Sequence, residues 1–127
     1  MKIIKTEVNH KDSRGIIKDI LTHVTVDAIT YIVSKKGAVR GNHYHKKTFQ
    51  YDYILKGSLA SYSQGGATKG KVIKKIIRAG DLVSHPPHES HAYKALEDTE
   101  FLSFTRGPRR GKDYEKDVYR LTKPLTS

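Results

Sequence analysis

Ten short β-branched segments, broken by Gly, Pro or Asp/Ser clusters, run along nearly the whole chain and commit it to an all-β fold. They fall at residues 3–7, 16–21, 28–33, 39–45, 51–55, 59–63, 72–77, 82–84, 92–96 and 100–105. Strands this short, with a turn signal every few residues, build a sandwich or a barrel. No stretch of a dozen residues carries a helical period. The best helix candidate is the short polar tail at 112–120. Residues 64–70, with three glycines, read as a surface hairpin loop.

A chain of 127 residues fits one domain with one core, expected to span 1–127. Only 36% of the residues are hydrophobic, so the core is modest, and a symmetric homodimer is expected to cover an apolar face. No apolar run is long enough to span a membrane, and the first residues lack the apolar stretch of a signal peptide. The cytoplasm is the expected compartment. With no cysteine, disulfides, thiolate ligands and cysteine nucleophiles are excluded. The net charge of +11 suggests an anionic partner such as a phosphorylated small molecule. That charge is spread evenly rather than gathered in an arm or stripe, which argues against nucleic acid. The one compact basic turn, Arg106-Gly107-Pro108-Arg109-Arg110-Gly111-Lys112, reads as a solvated loop or a guard at a barrel mouth.

Five of the seven histidines fall in two clusters, His43 and His45, then His85, His88 and His91. Residues two apart on a strand share a face, so His43 and His45 project side by side. Gly37 precedes His43 by six residues, Gln50 follows His45 by five, and Gly57 follows Gln50 by seven. Further on, Gly80 is followed by Pro86 and by His91. Glycines at 37, 57 and 80 suit tight turns at barrel corners, and Pro86-Pro87 fixes an extended entry to the strand bearing His91.

These two spaced runs, 37–57 and 80–95, resemble the paired motifs of the cupins. The resemblance implies a small double-stranded β-helix, or jelly-roll, barrel with a short C-terminal helix or tail. It also implies His43, His45 and His91 as metal ligands, with Gln50 in the place of the usual glutamate. Three imidazoles and one oxygen suit a single divalent ion, Zn²⁺, Ni²⁺, Fe²⁺ or Cu²⁺. An amide oxygen brings a dipole and no charge, so such a site binds more weakly than one with a carboxylate. No organic cofactor is expected. His85 and His88 are expected at the rim. Glu89 is near in sequence without a place in the site.

The run Arg40-Gly41-Asn42-His43-Tyr44-His45-Lys46-Lys47-Thr48-Phe49-Gln50 resembles that of the nucleotide-sugar 3,4-ketoisomerases, where Gln at this position is normal. Its first six residues are also similar to the C-terminal cupin domain of capsular polysaccharide reductases. Asp12-Ser13-Arg14-Gly15 resembles a motif of the related dTDP-sugar epimerases, and Asp113-Tyr114-Glu115-Lys116-Asp117 resembles the acidic tail of the ketoisomerases. His91 and its surroundings depart from the ketoisomerase pattern towards a metal-binding cupin.

These likenesses imply an isomerase or epimerase acting on a nucleotide-linked, dTDP-type keto sugar in polysaccharide or deoxysugar biosynthesis. His43 and His45 are the expected acid–base pair, since imidazole gives and takes protons near neutrality. Tyr31, on the preceding strand, is a candidate proton donor. Gln50 is expected to hold a sugar hydroxyl or to orient a histidine, and Arg40 and Arg14 to hold the diphosphate. Two other classes fit the same residues: a metal-dependent cupin such as a dioxygenase or small-molecule isomerase, and a non-catalytic cupin that binds a carbohydrate or other small molecule.

Overall fold

The computed structural model describes residues 1–108 and 112–126. Part of the basic turn, residues 109–111, lies outside the described residues. The strands are β1 (Lys2–Lys5), β2 (His10–Asp12), β3 (Gly15–Ile17), β4 (Ala28–Ser34), β5 (Val39–Tyr44) and β6 (Phe49–Lys56). They continue with β7 (Ser58–Gln64), β8 (Val72–Arg78), β9 (Asp81–His85), β10 (Ser90–Ala95), β11 (Thr99–Arg106) and β12 (Tyr119–Arg120). Two five-stranded sheets, ordered β1-β9-β6-β11-β4 and β12-β5-β10-β7-β8, face one another, and β2-β3 forms a separate hairpin. This is the expected jelly-roll. Among the described residues, no helix is long and apolar enough to cross a membrane.

The tail departs from expectation. The helix predicted over 112–120 is a single turn, α1 (Lys112–Glu115), and residues 119–120 pair with β5 as an edge strand. A four-residue helix gains too little from its own hydrogen bonds to extend further, whereas β5 offers an unpaired edge.

Alternation along the strands divides the barrel interior in two. One end is apolar: Ile54, Leu59, Ile77, Val83, Tyr93, Ala95 and Phe101 are buried in one cluster. Burial of such side chains is worth about 1.5–3 kcal/mol each and holds the sheets together. The other end is polar, and the histidines lie there. β6 spans both regions, with Gln50, Asp52 and Ile54 on its inward face, opposite Thr105, Ser103 and Phe101 of β11.

The outer face of the edge strand β4 is apolar and uncovered. Ile29, Tyr31 and Val33 are 65%, 56% and 48% exposed. Ile29 and Tyr31 stand beside the half-buried Phe104 and Leu102 of β11.

Candidate active site

The polar end of the barrel opens into a cavity of about 430 Å³. Ile32, Arg40, His43, Gln50, His91 and Tyr93 are among its lining residues, with Arg120 at its wall. Strand spacing alone puts Arg40 and His43 on opposite faces. A bulge at Asn42 removes the conflict. His91 pairs with His43, Ala92 with Gly41 and Tyr93 with Arg40, so Asn42 is the extra residue and Arg40 joins His43 inside. Asn42 has φ 55° and Gly41 φ 87°. A Cβ on Gly41 would stand 2.8 Å from the His91 carbonyl oxygen, which explains a glycine there. The bulged Asn42 grips the tail: its Oδ1 accepts from the Leu125 amide at 2.8 Å, and its carbonyl accepts from the Leu121 amide at 2.9 Å.

His43, His45 and His91 converge, with one ring nitrogen of each lying within 4.8 Å of the others. Two of the three tautomers are set by the backbone. A carbonyl only accepts, so His45 Nδ1–H donates to Asp117 O at 2.7 Å, and His91 Nδ1–H donates to Glu89 O at 3.2 Å. Each ring therefore presents Nε2 as its lone-pair nitrogen. His91 Nε2 is buried with no hydrogen-bond partner among the described residues. Burial, then the neighbouring His85, His43 and His45, hold the His91 pKa well below the ordinary imidazole value. His91 is thus neutral at neutral pH. Imidazoles held through Nδ1, as those of His45 and His91 are, and converging through Nε2 fit a divalent cation.

Asp117 fixes this corner from the tail. Its carboxylate accepts from the amides of Lys46, Lys47 and Thr48 and from Thr48 Oγ1 at 2.7 Å. Burial opposes its ionisation, but the bonds from Thr48 and the three amides outweigh that and hold its pKa below the usual carboxylate range.

A buried polar chain runs behind the cluster. Gln50 Nε2 donates to Asp52 Oδ2 at 2.8 Å, and the Tyr93 hydroxyl donates to the same oxygen at 2.5 Å. Burial and then the Asp52 carboxylate push the Tyr93 pKa well above its ordinary value, so the hydroxyl keeps its proton. Having donated, that hydroxyl accepts from His85 Nε2 at 2.9 Å, and His85 Nδ1 bonds Glu89 Oε1 at 2.9 Å. The Met1 amine closes on Glu89 Oε2.

Several expectations are corrected. His85 is not a rim residue: it is fully buried, its ring stacked on that of His91 at 4.6 Å. His88 does lie exposed, with φ 66°. His45 is 2% exposed and lies behind the cavity wall, so of the expected acid–base pair only His43 faces the cavity. Tyr31 points outward, because its neighbour Ile32 takes the cavity side of β4. Its hydroxyl bonds Glu100. Arg14 sits on the β2-β3 hairpin and not at the cavity. Its guanidinium holds Asp12 at 2.7 Å, the first cause of an Asp12 pKa lowered to about 2. Arg40 does line the cavity, steadied by Ser34 Oγ and the Val33 carbonyl, each at 2.7 Å.

Sequence reasoning missed Asp52, Tyr93 and Arg120, and named Asp117 within the acidic tail without its role at His45. Asp52 and Tyr93 each lie two residues beyond a singled-out residue and so share its face. Nothing in the sequence announces that the tail returns to β5.

Residues 30–105 match the cupin domain family. No curated protein sequence matches the chain. Among solved structures, a 3,4-ketoisomerase from Helicobacter canadensis is similar with a TM-score of 0.78 at 18% identity, over 94% of this chain and 90% of that one. A 3,4-ketoisomerase variant from Thermoanaerobacterium thermosaccharolyticum, in complex with TDP-4-keto-6-deoxyglucose, gives 0.75 at 18%, over 94% and 86%. The dTDP-4-dehydrorhamnose 3,5-epimerase from Sulfolobus tokodaii gives 0.70 at 19%, over 91% and 81%. At these identities the likeness is one of fold.

Proposed function

The chain belongs to the cupin domain family, and we propose that within it this protein isomerises or epimerises a nucleotide-linked keto sugar. One observation carries the reading: His43 faces a cavity lined also by Arg40 and by Arg120, whose guanidinium is paired with Glu115 at 3.1 Å. A proton-transfer group beside Arg40, whose guanidinium meets only neutral oxygens among the described residues, suits a substrate with a carbonyl at one end and a diphosphate at the other. Two of the similar structures named above, the Thermoanaerobacterium ketoisomerase and the Sulfolobus epimerase, hold or are named for such a sugar, which favours the same substrate class here.

In this reading the 4-keto sugar lies with C3 against His43. Its ring takes the C3 proton, leaving an enediolate across C3 and C4. Returning a proton to C4, with the O3 hydroxyl proton passing to O4, gives the 3-keto isomer; returning one to C3 from the other face gives an epimer. His45 fixes His43 from behind, their ring centroids 4.9 Å apart. His91, held neutral, supplies no proton.

In an alternative form of the site, His43, His45 and His91 would hold a divalent ion, with the Gln50 carboxamide oxygen as a further ligand; His43 would then serve as a ligand and not as the base, and the ion would supply Lewis acidity at the sugar carbonyl. The buried Nε2 of His91 favours this arrangement, and it equally serves a metal-dependent cupin of another activity. For the uncovered face of β4, we take a second copy of this chain as the occupant.

The test is to incubate the protein with TDP-4-keto-6-deoxyglucose in D₂O and follow the sugar by NMR. We expect either deuterium at C4 with the carbonyl moved to C3, or deuterium at C3 with the carbonyl kept at C4, and either signal lost in His43→Gln. A bound sugar nucleotide that neither exchanges nor isomerises would overturn the reading.

A further inference from the structure

Gln50 leaves the triad without the carboxylate that the cupin motif places beside it. The structure returns one a single pleat deeper. Asp52 shares the inward face of β6 with Gln50 and is fully buried. Its Oδ2 takes two donors, Gln50 Nε2 and the Tyr93 hydroxyl. The Tyr93 hydroxyl is in turn fixed by His85, and His85 by Glu89. Asp52 Oδ1 is buried with no hydrogen-bond partner among the described residues.

A carboxylate oxygen already receiving a hydroxyl proton offers nothing to a carboxamide oxygen; it can only accept. The amide end of Gln50 must therefore face Asp52, and Oε1 is the end left for the cavity that Gln50 lines. The negative charge behind the N–H also polarises the carboxamide and strengthens Oε1 as an acceptor.

We propose that Asp52 is a positioning residue that holds Gln50 as an obligate acceptor, so that this wall of the cavity selects a hydroxyl of the sugar over a carbonyl or ether oxygen. The inference rests on the sugar-nucleotide reading for its ligand, but not for the orientation of Gln50.

The experiment uses the full chain and two probes, TDP alone and TDP-4-keto-6-deoxyglucose. The Gln50 side-chain amide pair is assigned in ¹⁵N NMR by its loss in Gln50→Leu. In the wild type we expect these protons to be protected from solvent exchange. In Asp52→Asn the protection should fall by about tenfold or more, because an asparagine can meet Gln50 with either end. The sugar nucleotide should then bind about five- to tenfold more weakly, the worth of one hydrogen bond, while TDP binding is unchanged. Unchanged protection together with unchanged sugar-nucleotide affinity would overturn the proposal. If the wild type binds neither probe, the substrate reading fails, and amide protection alone still decides the role of Asp52. If Asp52→Asn does not fold, Gln50→Glu decides. Facing Asp52, a glutamate should lose at least tenfold in sugar-nucleotide affinity, and wild-type affinity would refute the positioning role.

Discussion

His45 and Asp117 lie 72 residues apart, yet the carbonyl of one accepts the Nδ1 proton of the other at 2.7 Å. The Asp117 side chain binds the loop just after His45, so one tail residue sets both the tautomer and the setting of that ring. Asp117→Asn keeps the carbonyl and loses the carboxylate. We expect a loss of about 1–3 kcal/mol at pH 7 from the amides left poorly satisfied. The folded pKa of Asp117 is depressed. Its contribution is therefore complete above the unfolded value, about 4, and fades as pH falls through the lower folded value. Urea unfolding at pH 7 and pH 3 should show the wild-type advantage shrinking at the acid end; an equal gap at both would contradict this account.

The convergence of His43, His45 and His91 predicts a response to metal. Adding Zn²⁺ to protein purified without an affinity tag should raise the Tm, and EDTA should reverse it. His91→Ala should abolish most of the shift. A variant stabilised as much as the wild type would place the ion elsewhere.

Arg40 lines the cavity with its guanidinium already braced by Ser34 and Val33. We expect Arg40→Ala to weaken TDP binding about tenfold, measured by calorimetry at fixed salt. Arg40→Lys should recover little, since an ammonium cannot reproduce the fork. Full recovery with lysine would reduce the role of Arg40 to bulk charge.

Gly41 and Gly37 have nearly the same backbone, φ 87° and φ 86°, in different surroundings. A Cβ at position 37 meets open space, whereas at 41 it meets the His91 carbonyl. Gly37→Ala should cost about 1 kcal/mol, the left-handed penalty alone. Gly41→Ala should cost clearly more and disturb the His43 and His91 resonances. Equal costs by denaturant unfolding would mean that the bulge yields freely.

Ile29, Tyr31 and Val33 form an outward apolar stripe on β4. Light scattering should find a dimer, and Ile29→Lys should shift it towards monomer while the melting curve changes little. A wild-type monomer at high concentration would leave the stripe without this partner.

Nine of the ten expected strands appear close to their predicted bounds, because alternation and turn residues are local signals. The segment at 16–21 contracts to three residues paired with an unforeseen β2. The site was legible as far as spacing reaches: His43, His45 and His91 meet as the two motifs imply. Tyr31 shows the limit. It and Ile32 are equally plausible inward residues from sequence, and one step of the pleat decides between them. Arg40 shows the converse, since its inward aspect depends on a bulge that composition alone does not reveal. Asp52, Tyr93, His85 and Glu89 join across three strands, and cross-strand register is not written in any local pattern.

The return of the tail to β5 also orders events during synthesis. At ~5–20 residues per second, the 72 residues separating His45 from Asp117 take roughly 4 to 14 seconds to emerge from the ribosome. Only once β11 is complete, at Arg106, does the nascent barrel have all its histidines and the other strands of both sheets, and it still lacks the anchor for His45 and the last strand beside His43. The histidine cluster is thus among the last parts of the fold to be fixed, and a nascent chain stalled before Asp117 would be nearly folded yet without the carbonyl that sets the His45 tautomer.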